Sequence, residues 1–199
     1  MNTAFDILES YPMYERYADY CDELDNFSAA RLRQANNDKL QVIYRTGVGV
    51  DVHPYCNDVK DCMIGCVKWL DSKGIEGHSD GDVVAHAICD SVLSACRLGD
   101  LGILFGIDEP DMQDATGYFM LKKTISVAME NSWHIENVAV QFLGKTPHVL
   151  PRHFEVALGL SKIMNAPVSF SATTTDNLGF IGRGDGVCAI STTQVSKIL

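Results

Sequence analysis

The sequence predicts an α+β or α/β fold, with helices covering one face of a sheet. Strand-like stretches rich in β-branched residues recur along the chain, helix-like stretches lie between them, and the two kinds are mixed rather than segregated. A length of 199 residues suits one compact domain plus an appendage, and 46% hydrophobic with 21% charged residues allows an ordinary buried core.

Residues 1–44 stand apart, rich in Tyr, Asp and Glu; Tyr11, Tyr14, Tyr17 and Tyr20 recur every three residues, as on one side of a helix. This segment reads as an N-terminal extension, either a partly helical docking arm or a loosely ordered tail. The main domain is read as residues 45–199. Thr46 to His53 reads as a strand, and Met63 to Trp69 as a second short strand. Gly77 to Asp82 reads as a turn, with Asp80 or Asp82 capping a helix that runs to about Arg97. Asp114 to Asn131 reads as a second helix with Phe119, Ile125, Val127 and Met129 inward. Glu136 to Leu143 reads as a strand, Leu150 to Met164 as a helix set off by Pro147 and Pro151, and Val168 to Thr174 and Gly186 to Gln194 as strands.

The net charge of −10 argues against nucleic acid as the main partner. A small phosphorylated ligand remains compatible with it, because a bound divalent cation reverses the local field. The seven cysteines are odd in number and irregular in spacing, which fits reduced thiols in a reducing compartment. Cys62 and Cys66 form a loose zinc-like pair with no second pair to complete it, so they read as small buried hydrophobes. No stretch approaches a membrane span, and the acidic first 30 residues do not resemble a secretory signal or a transit peptide. A bacterial cytoplasm is the expected location, with a plastid form after transit-peptide removal as the alternative.

The chemistry concentrates in Asp51-Val52-His53, His78-Ser79-Asp80-Gly81-Asp82 and His86. Asp51 and His53 are i and i+2 on a strand, so their side chains leave the same face. His86 lies about one turn into the following helix, and a strand end and a helix start can converge on one point. Three N/O ligands would then leave a fourth position open, and two imidazoles with one carboxylate favour Zn²⁺ over Mg²⁺. Asp82 or Asp90, four residues to either side of His86, would orient its ring. Alone, Asp51-Val52-His53 reads as an exposed strand end; the acidic turn and His86 change that reading.

A second segment runs from Ala172-Thr173-Thr174-Thr175-Asp176 to Gly182-Arg183-Gly184. Glycines let backbone N–H groups approach phosphate oxygens, threonine hydroxyls donate to them, and Asp176 suits a hard cation such as Mg²⁺. Taken alone, it reads first as a Gly-rich hairpin whose threonines serve strand formation.

Five blocks join these segments in order: Gly49-Val50-Asp51-Val52-His53, His78 through His86, Gly99-Asp100-Leu101-Gly102, Pro147 through Pro151, and Thr173 through Gly184. Together they resemble the 2-C-methyl-D-erythritol 2,4-cyclodiphosphate synthase family over residues 45–197; residues 1–44 have no counterpart in its minimal members. The resemblance implies an α/β sandwich with a mixed four-stranded sheet, helices on one face, and a homotrimer built around the sheets with active sites between subunits. It implies a phosphorus–oxygen lyase of the non-mevalonate isoprenoid route, which turns 4-diphosphocytidyl-2-C-methyl-D-erythritol 2-phosphate into the cyclic diphosphate and CMP. It assigns Zn²⁺ to Asp51, His53 and His86, and a second ion, Mg²⁺ or Mn²⁺, to Asp176 with the substrate diphosphate.

By the same resemblance, His78 and Thr174 stabilise the transition state, and Asp100, Leu101 and Gly102 hold the erythritol part. Gly144, Lys145, Thr146, Pro147, His148, Val149 and Leu150 match the cytidine diphosphate side, with Thr173, Thr174, Thr175 and Asp176. Further substrate contacts carry over to Val52, Ser79, Phe105 and Glu109, and Phe180 and Arg183 match positions near a central trimer cavity that can hold isoprenoid diphosphates. Four positions depart from the family pattern: Ile107 and Glu109 in the run after Phe105, His148 in place of lysine, and Asp176 in place of glutamate. The competing readings are a metal-dependent phosphoesterase using water, and a degenerate homologue that binds nucleotide or isoprenoid diphosphate without turnover.

Overall fold

The computed structural model describes residues 41–56, 61–70, 72–77, 80–105 and 115–199. The extension up to residue 40 and the departure at Ile107 lie outside the described residues. Strand β1 spans Val42–Pro54 and pairs antiparallel with β6, Gly186–Ile198. β6 also pairs antiparallel with β4, His134–Leu143, which pairs parallel with β5, Val168–Thr173. The order is β1-β6-β4-β5, a mixed four-stranded sheet. β1 begins three residues before the domain start read from the sequence, because Val42, Ile43 and Tyr44 continue the ladder against Ile198, Lys197 and Ser196.

Burial alternates along β1, so Gly47 and Gly49 face inward while Val48, Val50 and Val52 face outward. Helix α1, Val83–Cys96, lies on the inner face. Its seam with the sheet is narrow because small residues line it: the Ser91 hydroxyl meets those of Thr193 and Ser191 at 2.6 and 3.0 Å. A Cβ on Gly49 would sit 2.1 Å from the Ala87 carbonyl oxygen, and one on Gly47 would sit 2.1 Å from that of Ser91. Only glycine permits this approach of strand to helix.

Residues 63–69, read as one strand, form a hairpin instead, with β2 at Cys62–Ile64 and β3 at Val67–Trp69. Gly65 and Cys66, at φ 63° and 61°, make a two-residue turn whose twist suits the flanking strands. Helix α2, Leu101–Phe105, was not anticipated from sequence. Helix α3, Gly117–Glu130, buries Met120, Leu121, Thr124 and Ala128; of the face read from sequence, Ile125 packs partly buried against the core, while Phe119 and Met129 are exposed. Gly117 sets that rotation, since its Cα packs against Ala85 and Asp82 too closely to admit a Cβ. A single 3₁₀ turn at Leu150–Arg152 precedes α4, His153–Met164, where one helix was expected. Helix α5, Gly179–Arg183, occupies part of the Gly-rich segment and ends on Gly184 in the left-handed region.

Asp82 ties the hairpin to α1. Its Oδ1 accepts from the Val84 and Ala85 N–H groups at 3.1 Å each and from Gly65 N–H at 2.8 Å, while Oδ2 accepts from Cys66 N–H at 2.6 Å. Burial pushes this carboxyl up to about 6, and the backbone donors pull against it. Asp82→Ala removes the helix cap and leaves the two turn N–H groups without an acceptor. The expected loss is roughly 3–5 kcal/mol, read by calorimetry as a melting point lowered by about 10 °C or more.

Among the described residues the cysteines are free thiols. Burial pushes Cys62 and Cys89 up to about 12 and raises Cys66 further, as for thiols packed into an apolar interior.

Candidate active site

Asp51 and His53 leave the same face near the end of β1, and His86 arrives from the first turns of α1. One potential ligand atom from each lies within 4.8 Å of the others. His53 Nε2 is 3.1 Å from Asp51 Oδ2, and His86 Nδ1 is 3.5 Å from the same oxygen. That oxygen is buried and, among the described residues, has no hydrogen-bond partner. A buried carboxylate oxygen without a donor costs on the order of 1–3 kcal/mol unless something compensates it. Two imidazole nitrogens aimed at it without donating fit a divalent cation held between the three groups.

Each imidazole is oriented by its other nitrogen. His53 Nδ1 meets the Glu76 carbonyl, which makes Nδ1 the protonated nitrogen and leaves Nε2 as the ligand atom. His86 Nε2 faces Asp90 Oδ2 at 3.6 Å, one turn along α1, and so presents Nδ1. Of the two acids that the sequence offered for this role, Asp82 is excluded, because both of its oxygens are spent on backbone N–H groups. Asp90 Oδ1 also accepts from Leu101 N–H at 3.0 Å, so one carboxylate joins the histidine to the Asp100–Gly102 segment. Burial pushes the Asp90 carboxyl above its ordinary range, and the Leu101 N–H pulls the other way.

A cleft of about 270 Å³ opens at the same end of the sheet, where Cys188 of β6 lies between Val52 of β1 and Leu143 of β4. Gly144, Pro147, His148 and Leu150 wall one side, and Thr173 and Thr174 the other.

A model of the YgbB family matches residues 44–196, the described domain almost from end to end. The chain belongs to the YgbB family. A YgbB-family relative from Cutibacterium acnes, named 2-C-methyl-D-erythritol 2,4-cyclodiphosphate synthase, is 44% identical over 153 residues, covering 77% of this chain and 91% of that protein. The structure of the bifunctional IspDF from Campylobacter jejuni matches with a TM-score of 0.74 at 26% identity, over 79% of this chain and 43% of that one. A CDP complex of IspF from Plasmodium falciparum shares the fold with a TM-score of 0.65 at 24% identity, over 76% of this chain and 95% of that one.

Within this YgbB domain the structure brings Asp51, His53 and His86 together and lines the cleft with part of the Gly144–Leu150 and Thr173–Asp176 segments read from sequence. Lys145 and Val149 line the cleft as well, and its Thr174 hydroxyl lies 3.4 Å from Asp176 Oδ1. The Thr175 hydroxyl donates to the Leu178 carbonyl at 2.7 Å and shapes the turn into α5. Asp100 Oδ1 accepts from Ile103 N–H at 2.9 Å at the start of α2, Gly102 sits beside that carboxylate, and Phe105 packs against Phe119. Val52 lies on the outer face of β1 with Val48 and Val50; Phe180 is exposed on α5, and Arg183 pairs with Asp185 at 2.9 Å. His78, Ser79 and Glu109 lie outside the described residues. Sequence reasoning missed Tyr55 and the Glu76 carbonyl. The i, i+2, i+4 alternation through Asp51, His53 and Tyr55 was the available signal for the first.

Asp90→Ala is expected to weaken metal binding by about 10–100-fold, measured by competition with a chelator, because His86 loses its orienting partner. Asp90→Asn, which keeps an acceptor for Leu101 N–H, should lose less.

Proposed function

We propose that the chain converts 4-diphosphocytidyl-2-C-methyl-D-erythritol 2-phosphate into 2-C-methyl-D-erythritol 2,4-cyclodiphosphate and CMP, as a phosphorus–oxygen lyase of non-mevalonate isoprenoid biosynthesis. The observation that carries this is the buried Asp51 Oδ2, without a donor among the described residues, facing two imidazole nitrogens at the cleft end of the sheet. The 44% identical synthase from Cutibacterium acnes supports it.

An oxygen of the substrate's own 2-phosphate attacks the β-phosphorus of the same molecule. A new P–O bond closes the ring, the bond from the β-phosphorus to the bridging oxygen breaks, and CMP leaves with the electron pair. The nucleophile is already ionised near neutral pH, so the chain needs no strong base. Its work is to fold the substrate so that the two phosphates meet and to stabilise charge on the transferring group. Zn²⁺ at Asp51, His53 and His86 would supply Lewis-acid stabilisation of the phosphoryl charge, and Mg²⁺ or Mn²⁺ at Asp176 would neutralise the diphosphate.

The cleft between Gly144–Leu150 and Thr173–Thr174 would take the cytidine diphosphate side. The Asp100–Gly102 segment, held through Asp90, would take the erythritol side. His78 and the Thr174 hydroxyl would donate to the phosphoryl oxygens. The assembly would be a homotrimer: Val48, Val50, Val52 and Ile190 form a half-exposed apolar strip on the outer sheet face, which suits burial against further copies. The residues before β1 would be an appendage to the domain, which the ladder extends back to Val42. A bacterial cytoplasm suits the free thiols.

The test is to incubate the protein with the diphosphocytidyl substrate, Zn²⁺ and Mg²⁺ and to follow phosphorus NMR. Cyclic diphosphate plus CMP is expected; a linear hydrolysis product or no turnover would contradict the reading.

A further inference from the structure

Tyr55 follows the metal ligands on the same strand edge, two residues past His53, and is not among the residues the family resemblance marks. Its ring is buried, with 8% of its surface exposed. Its backbone is fixed independently of the ring: Tyr55 N–H donates to the Asp185 carbonyl at 3.0 Å, and Tyr55 bridges to Ile75.

A phenol has one hydrogen to donate and lone pairs for two acceptor bonds. Tyr55 spends all three on one residue, Thr146, 91 positions along the chain. The hydroxyl donates to the Thr146 carbonyl at 2.5 Å, and accepts from Thr146 N–H at 3.2 Å and from the Thr146 hydroxyl at 3.1 Å. Thr146 sits in the middle of the segment that walls the cleft, between Lys145 and Pro147. On one side, Gly144 N–H is tied to the Thr173 carbonyl at 3.2 Å; on the other, Arg152 N–H is tied to the Val149 carbonyl at 3.0 Å. Between those two points the phenol ties the segment down, together with Lys145 Nζ, which donates to the Gly182 carbonyl at 3.5 Å.

We infer that the Tyr55 hydroxyl is a positioning residue for nucleotide binding, holding the Thr146–Leu150 wall of the cleft in register with the strand that carries Asp51 and His53. The inference rests on the synthase reading for its ligand, a cytidine diphosphate group. The hydroxyl's hydrogen-bonding capacity is spent on Thr146, and it acts through that residue. Its removal should therefore loosen the nucleotide wall and leave the metal triad intact.

The test is Tyr55→Phe, which keeps the buried ring, compared with the wild-type protein in CDP titrations by calorimetry and in steady-state kinetics. The expected result is a CDP dissociation constant and a KM raised about tenfold, the scale of losing one satisfied backbone pair, with kcat within about threefold. Zinc content should be unchanged, and amide exchange should quicken at residues 146–150. Thr146→Ala removes only one of the three bonds and should act more weakly. In the Tyr55→Phe background it should add nothing further, because its partner is already gone. Equal CDP affinity and KM in folded Tyr55→Phe would overturn the inference while leaving the synthase reading intact. A fall in kcat at constant KM would also overturn it, by placing the hydroxyl at the chemistry. Wild-type protein that binds no CDP would overturn the synthase reading and this inference with it.

Discussion

Asp51→Ala is expected to strip the metal and the activity together. Asp51 supplies the one carboxylate of the triad, and its Oδ2 is the atom on which both imidazoles converge, at 3.1 and 3.5 Å. Without it, two neutral rings face each other across a gap with no negative charge to hold a cation. Bound zinc, measured by elemental analysis after gel filtration, should fall from about one per chain to a trace, and turnover by on the order of 10³-fold or more. The fold should survive. The oxygen removed is buried and, among the described residues, satisfied by no donor, so its loss relieves a desolvation cost in metal-free protein. Metal-free Asp51→Ala should melt no lower than metal-free wild type. Added zinc should then raise the melting point of the wild type alone, by the several kcal/mol that binding at a large excess over Kd provides. Full zinc content in the mutant would sink the ligand assignment.

What the sequence made legible follows from the range of each interaction. Asp51 and His53 were readable because strand alternation puts i and i+2 on one face, and His86 because a capped turn leads directly into its helix. The choice between Asp82 and Asp90 was not readable. Both sit four residues from His86, and only the hairpin turn, whose Gly65 and Cys66 N–H groups take up Asp82, separates them. That turn was hidden inside an apolar run, where Cys66 in the left-handed region gives no compositional sign. Phe119 and Met129 were misplaced on the inner face of α3, whose start is fixed by Gly117 against Ala85 and Asp82, a contact with residues more than thirty positions earlier. Alternation placed Tyr55 in line with Asp51 and His53, but its role was unreadable because its partner lies 91 residues away. Local patterns reached the elements and the side chains that converge at Asp51, His53 and His86, and contacts between elements decided what supports them.

The glycines of β1 show how such a contact sets the chemistry, and Gly49→Ala is expected to cost more than its single methyl suggests. The new Cβ would lie 2.1 Å from the Ala87 carbonyl oxygen and 2.6 Å from the Ser91 nitrogen, and Gly47 faces α1 in the same way one pleat earlier. These obstacles are main-chain atoms of a paired helix, not flexible side-chain tips, so relief requires α1 as a whole to lift off the sheet. Lifting it opens the Ser91, Ser191 and Thr193 hydroxyl cluster and draws His86 away from Asp51. The expected loss is about 3 kcal/mol or more, a melting point lower by roughly 6–12 °C in calorimetry, together with weakened zinc binding in the folded fraction. Gly49→Val should leave little folded protein. Gly159→Ala is the matched control: its Cβ meets nothing within 4 Å on α4, so the same methyl should be neutral or stabilise by about 0.5–1 kcal/mol. If Gly49→Ala behaved like Gly159→Ala, the close strand–helix seam could not be what brings a ligand on α1 to two ligands on β1. If it lowers stability and zinc affinity together, the glycine spacing of β1 is part of the metal site although no glycine atom touches the metal.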